Sequence, residues 1–378
     1  MNKLLYISSF LKKCSIYFLR SLRKNNFKNG IVIIFFLIVQ SQTFSQNKIR
    51  CAYCGLEIQN KYILVDGKAY HPEHFLCKGC DKQISGDFVR KDGSYYHPDC
   101  YSVAEGLICD YCKKTLNEEY VTYDNKKYHK SCCENYIIPK CSVCNLPLKG
   151  VYSEDIYKNK FHTYHLSELH KCDCCSRIIC QALTNGGRDY PDGRHVCNIC
   201  YATAVFDQEQ IEKLLIKVSG QLTSIGIKCN LKNIKIAGVD RNVLRNEAKN
   251  YTEKTQGYCH SESLNKYIND KMVNQTINHT IYVLSGMSSL VLESTIAHEL
   301  MHSWIYENTK KNLSDKINEG SCNYVSYLYL RSLNNNLAAD LIKILETDPD
   351  INYGKGFLEI RQQFEKKSVN DFLAFLKN

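Results

Sequence analysis

The sequence lacks a bilayer-length apolar run near its start, where one would anchor it. The block at residues 31–39 is nine residues long, too short to cross a membrane as a helix, which needs about twenty. Acidic residues are missing altogether from the first 45 positions, and the rest of the chain has little excess of positive charge. Lys3, Lys12, Lys13, Arg20, Arg23, Lys24 and Lys28 account for seven of the formal net charge of +10, leaving +3 elsewhere. Fourteen thiolates holding five zinc ions would bring that remainder to about −1. A basic footprint able to hold phosphates is therefore missing, and nucleic acid is not an expected partner. Cysteine is scarce after position 200 and crowded before it.

The N-terminal basic stretch leads into the apolar block and then Thr43-Phe44-Ser45-Gln46. Small residues at Thr43 and Ser45 suit a signal peptidase. The expectation is a signal peptide over residues 1–45 and an exported chain, periplasmic or secreted, beginning near Gln46. The long basic region leaves anchoring by an uncleaved segment as the alternative.

Most of the 21 cysteines lie between positions 51 and 200 as close pairs, many mixed with histidine. That pattern reads as metal ligation rather than a disulfide framework. Cys51/Cys54 precede His71/His74, and Cys77/Cys80 precede His97/Cys100. Cys109/Cys112 precede His129/Cys132, Cys141/Cys144 precede His162/His165, and Cys172/Cys175 precede Cys197/Cys200. Each two-residue spacer turns both side chains toward one ion, and the second pair completes a tetrahedron. The gaps of 16, 16, 16, 17 and 21 residues leave room for a hairpin between the pairs. Cys174 beside Cys175 leaves a register ambiguity. Cys133, Cys174, Cys180, Cys229, Cys259 and Cys322 are unassigned and open to disulfide pairing. Zinc-thiolate sites sit uneasily with export, because thiols outside a reducing compartment oxidise.

His74-Phe75-Leu76-Cys77 joins the first two sites by a two-residue spacer, and Tyr70-His71-Pro72-Glu73-His74-Phe75 closely resembles LIM sequences. Residues 51–103 are thus expected to form a LIM domain, 104–136 a single extra finger, and 137–202 a LIM-like domain. The resemblance implies metal-dependent folding and the binding of protein partners.

Beyond Cys200 the pairs stop. Residues 203–224 carry apolar positions at helical spacing, residues 281–284 are β-prone, and residues 290–306 read as a largely buried helix. That helix contains His298-Glu299-Leu300-Met301-His302. Histidines four apart share a helical face and can bind one ion, and Glu299 can reach a water on it as general base. Apolar neighbours such as Ile296, Leu300 and Trp304 argue against surface histidines. A third ligand is expected from a second helix beginning near Asn318-Glu319-Gly320. Glu307 would point around its own helix and away from the ion, and Asp315 is better placed as a helix cap. Glu319 is the ligand expected, with Gly320 allowing close helix approach and Asn323 on Glu319's face free to accept a ligating histidine's ring proton.

Fingers followed by this helix resemble one family, the LIM-domain peptidases of the DA-one family, plant organ-size regulators with bacterial relatives. The resemblance rests on residues 298–304 (HELMHSW), 319–322 (EGSC), 255–259 (TQGYC), 193–197 (GRHVC) and 353–357 (YGKGF). It implies a gluzincin-type zinc endopeptidase over residues 203–378, with LIM modules that bind or regulate. Ubiquitin binding does not carry over, because the plant members' ubiquitin-interacting motifs are replaced here by the basic and apolar leader. The expected fold is α+β and multidomain: tandem LIM-type zinc modules, then a mainly helical zincin-like domain. The expected cofactors are one catalytic zinc at His298, His302 and Glu319, and five structural zinc ions. The rival expectation is a LIM scaffold carrying a peptidase-like domain that no longer cuts.

Overall fold

The computed structural model describes residues 16–17, 48–116, 119–268 and 271–378. The signal-peptide expectation for residues 1–45 falls almost wholly outside them. The chain divides into two compact units between Pro139 and Lys140, and its overall class is α+β and multidomain.

The first unit holds the first three cysteine–histidine clusters. Between the ligand pairs of each lies a short antiparallel ribbon: Ile63–Val65 with Lys68–Tyr70, Val89–Lys91 with Ser94–Tyr96, and Tyr120–Tyr123 with Lys126–His129. Small aromatic and aliphatic clusters, such as Val65, Phe75, Ile84 and Phe88, support them. Cores this small leave stability to the metal.

The second unit begins with two more ribbons, Tyr152–Glu154 with Lys160–His162 and Gly187–Asp189 with His195–Cys197. A short strand β1 (Ala204–Val205) then leads into helix α1 (Gln208–Ser224), capped by Asp207 accepting from the Gln210 N–H. A three-stranded sheet follows in the order β2 (Ile234–Val239), β4 (Lys271–Leu284), β3 (Gly257–Ile268). Strand β2 runs parallel to β4, and β3 pairs with it antiparallel in a hairpin longer than β2 can cover. Helix α2 (Arg241–Glu247) lies between β2 and β3 in sequence, and β5 (Met287–Ser288) follows β4 and pairs with β1.

Helix α3 (Ser289–Asn308) buries Val291, Ile296, Ala297, Leu300, Met301 and Trp304. Its apolar positions run round the axis because it is enclosed: the sheet, α1 and helix α4 (Asp315–Leu333) all pack on it. The C-terminal helices α5 (Asn336–Thr347), α6 (Gly356–Phe364) and α7 (Val369–Lys377) complete a helical region. One hydrophobic core runs through this unit from Cys172 to Leu376.

Two local details differ from the sequence expectations. Ser314, not Asp315, caps α4, its hydroxyl accepting from the Ile317 N–H, and Asp315 sits in the first turn. A hydroxyl can occupy the cap while the acid still favours the positive helix end. Gly320 faces α6 rather than α3, and a Cβ there would lie 2.7 Å from the Gly356 carbonyl oxygen. Gly320→Ala is expected to destabilise the fold by about 1–3 kcal/mol through overpacking. Gly220→Ala, where a Cβ meets nothing within 4 Å, should instead stabilise it by about 0.5–1 kcal/mol. Urea midpoints of the two variants check both signs.

Candidate metal centres

Five clusters bring together the ligand pairs read from the sequence: Cys51, Cys54, His71, His74; Cys77, Cys80, His97, Cys100; Cys109, Cys112, His129, Cys132; Cys141, Cys144, His162, His165; and Cys172, Cys175, Cys197, Cys200. Tetrahedral zinc at ordinary bond lengths would set sulfur–nitrogen edges at about 3.5 Å and sulfur–sulfur edges at about 3.8 Å. Cys54 Sγ lies 3.5 Å from His71 Nδ1, Cys80 Sγ 3.4 Å from His97 Nδ1, and Cys112 Sγ 3.4 Å from His129 Nδ1. Cys144 Sγ lies 3.5 Å from His162 Nδ1, and Cys175 Sγ 3.8 Å from Cys197 Sγ. The donor set fits zinc.

The surroundings prepare these ligands. His97, His129 and His162 turn Nε2 toward the carbonyls of Gln83, Thr115 and Pro147, at 3.2, 3.0 and 3.4 Å. A proton held at Nε2 leaves Nδ1 free for the ion. At Cys51, burial opposes ionisation, but hydrogen bonds from backbone N–H groups outweigh it and bring the thiol down to about 5. Cys77, Cys109 and Cys141 fall to about 6 by the same balance. The register ambiguity resolves in space. Cys175 joins the fifth cluster, while Cys174 Sγ lies 3.7 Å from Met287 Sδ. Among the described residues no two cysteines are joined in a disulfide, the six unassigned ones included.

A further group forms where α3 faces α4. His298 Nε2 lies 3.1 Å from His302 Nε2 and 3.2 Å from Glu319 Oε2, and His302 Nε2 lies 3.4 Å from the same oxygen. Donors about 2.05 Å from a tetrahedral ion stand about 3.3 Å apart, so these three atoms are spaced for a single zinc. Burial works against the Glu319 carboxylate, yet hydrogen bonds to both histidines hold it well below the usual range. Asn323 Oδ1 lies 2.9 Å from His298 Nδ1, and its amide donates to the Tyr353 carbonyl at 3.1 Å.

Glu299 is 4% exposed. Its burial raises the carboxyl's pKa, against the nearby histidines and the Cys259 N–H. The first residue of β3 must be small to pass it: a Cβ at Gly257 would sit 2.7 Å from Glu299 Oε1. Glu307 turns away from this group, 3.3 Å from His279 Nε2, whose Nδ1 meets Ser261 Oγ at 2.7 Å.

Sequence reasoning assigned no role to Tyr353 or Cys322. Tyr353 stacks along His298 at 6.1 Å between ring centroids and 14° between planes. Burial and Glu319 push its phenol upward. Cys322, fully buried beside His302, is pushed up to about 11 by burial. The signal for Cys322 was its place three residues after Glu319, on the same helical face. Tyr353 lies beyond α4 in a π-helical turn, Ile351–Lys355; it opens the YGKGF motif, but nothing local placed its ring beside His298.

Two known families match separate parts of the chain. Residues 51–105 match the LIM domain family, and residues 250–340, which include His298, Glu299, His302 and Glu319, match the DA1-like family described as Protein DA1. The chain is 28% identical over 228 residues to the LIM domain-containing protein HDR3 of Oryza sativa subsp. japonica, covering 51% of this chain and 44% of that protein. It is 26% identical over 227 residues to Protein DA1-related 2 of Arabidopsis thaliana, covering 51% of this chain and 42% of that one. To Protein DA1 of the same plant it is 25% identical over 223 residues, with coverage of 51% and 42%. The chain thus spans less than half the length of these relatives.

The expectation of export is corrected by these findings. The relatives are DA1-type LIM proteins of plants, and no helix among the described residues is long and apolar enough to cross a membrane. The export reading rested on charge and apolarity in a short leader.

Proposed function

We propose that the chain is a zinc-dependent peptidase acting on protein or peptide substrates, with a zincin-like site of gluzincin type on α3 and α4. The convergence of His298 Nε2, His302 Nε2 and Glu319 Oε2 within 3.4 Å of one another carries this reading. Similarity to DA1-like proteins across the same residues supports it. When bound there, zinc acts as a Lewis acid toward a water and a substrate carbonyl. Glu299, a buried carboxylate with raised pKa, takes the proton from the attacking water and delivers it to the leaving amine. Asn323 holds the proton on His298 Nδ1, so that Nε2 faces the ion. The Tyr353 ring limits how far the His298 imidazole can turn. LIM domains generally mediate protein–protein interactions, and the module at residues 51–105 serves here to recruit substrates or partners.

The purified chain is expected to degrade an unfolded protein substrate and to stop when a chelator removes the catalytic ion. A chain that cuts neither folded nor unfolded substrate with zinc restored would reject the reading. Elemental analysis should count six zinc ions per chain, five surviving mild chelation, because four-coordinate cysteine-rich sites are closed and the site on α3 is open. A count near one would overturn the cluster assignments.

A further inference from the structure

The fifth cluster differs from the other four cysteine–histidine clusters. All four of its ligands are buried, whereas each of the others has at least two ligands partly exposed. Cys141 of the fourth cluster belongs to a small core of its own with Leu148 and Phe161, but Cys172, Cys175, Cys197 and Cys200 belong to the same core as α3 and α4.

Three sets of contacts run from this cluster to the start of α3. The chain leaving Cys200 enters β1, where Ala204 pairs with Ser288 and Val205 with Met287. The Ser289 N–H, opening α3, donates to the Thr203 carbonyl at 2.8 Å, three residues from a ligand. Inside the cluster's own loop, Tyr190 Oη donates to the Gly286 carbonyl at 2.7 Å and Arg194 donates to the Ser285 carbonyl at 2.8 Å. Arg194 is 3% exposed and held by Asp192. Asp173, between ligands Cys172 and Cys175, pairs with Arg241 at 2.6 Å, and its carbonyl accepts from Gln256 Nε2 at 3.1 Å. Gln256 Oε1 accepts from Thr295 on α3, one turn before Glu299.

We propose that this four-cysteine site is a positioning centre for α3 rather than a partner-binding module: zinc held there sets the segment from Ser285 to Ser289 and so the face that carries His298, Glu299 and His302. The inference rests on the reading of α3 as the helix that holds the catalytic ion. Thiolate-only coordination is closed and structural, and a buried closed site can fix a neighbouring helix without touching substrate. Losing the fifth ion, by chelation or thiol oxidation, would then silence the distant catalytic site while the first unit stayed folded.

The test uses the full chain with two variants. Cys200→Ser removes a ligand. Tyr190→Phe/Arg194→Lys keeps every ligand and the Asp192 ion pair but withdraws the bonds to Gly286 and Ser285. The readouts are the affinity of the sixth ion by chelator competition, kcat and KM on an unfolded protein substrate, and the number of ions resisting mild chelation. The double variant is expected to keep five resistant ions and its KM, while kcat falls and sixth-ion affinity weakens about 10–100-fold, as when support behind a metal ligand is lost. Tyr327→Phe, which removes a comparable bond to Glu365 outside the LIM module, should change none of these readouts. Wild-type affinity for the sixth ion in the folded double variant, or in a folded Cys200→Ser, would overturn the proposal, as would an equal loss in Tyr327→Phe. Should the wild-type chain cut nothing while the double variant still loses sixth-ion affinity, the positioning role stands and the peptidase reading falls.

Discussion

Glu299→Gln is expected to keep all six zinc ions and near-native stability while turnover falls about 10²–10⁴-fold, the usual share of a general base. Glutamine occupies nearly the same volume, so the tight space between α3 and Gly257, where Glu299 Oε1 stands 2.7 Å from the site of a Cβ, remains filled. Its amide can still accept from the Cys259 N–H that the carboxylate uses. It cannot take a proton from water. The site would also lose a buried carboxylate whose ionisation burial disfavours, so folding itself should not suffer. KM should stay within a few-fold, because Glu299 is read as acting on the water rather than on the bound peptide. A variant that cuts at a rate comparable to wild type would remove Glu299 from the role of base.

Glu319→Ala should lose the sixth ion and all cleavage, with the five resistant ions unchanged. Catalytic zinc takes three protein ligands, and without Glu319 Oε2 only His298 and His302 remain. The variant also leaves His302 without the carboxylate that helps to raise its pKa against burial, so some loss of stability accompanies loss of metal. Asn323→Ala separates orientation from ligation. His298 would lose the partner at 2.9 Å from Nδ1, and zinc affinity should weaken roughly 10–100-fold without vanishing. Chelator competition resolves the two variants, and excess zinc should restore Asn323→Ala but not Glu319→Ala. Should Glu319→Ala keep full zinc and activity while Asp315→Ala loses both, the third ligand must be reassigned.

What the sequence by itself determined is what local geometry encodes. Two cysteines with two residues between them must point into one turn, a ribbon of near-constant length returns the second pair, and the five clusters assemble with those residues. His298 and His302 share a face because four residues make about one helical turn, and Glu319 and Asn323 follow the same rule on α4. The tertiary structure decided what depends on distant segments meeting. The choice of Cys175 over Cys174 turned on which thiol faced Met287, 113 residues away. Gly320 met Gly356 rather than α3, and Tyr353 came back from the π-helical turn after α5 to lie along His298. The fifth cluster joined the core of α3 and α4, whereas its ligand spacing resembles that of the free-standing fingers. Such contacts have no period along the chain, and a motif alone does not say which segments meet. They follow from which buried surfaces fill one another's space once the elements pack.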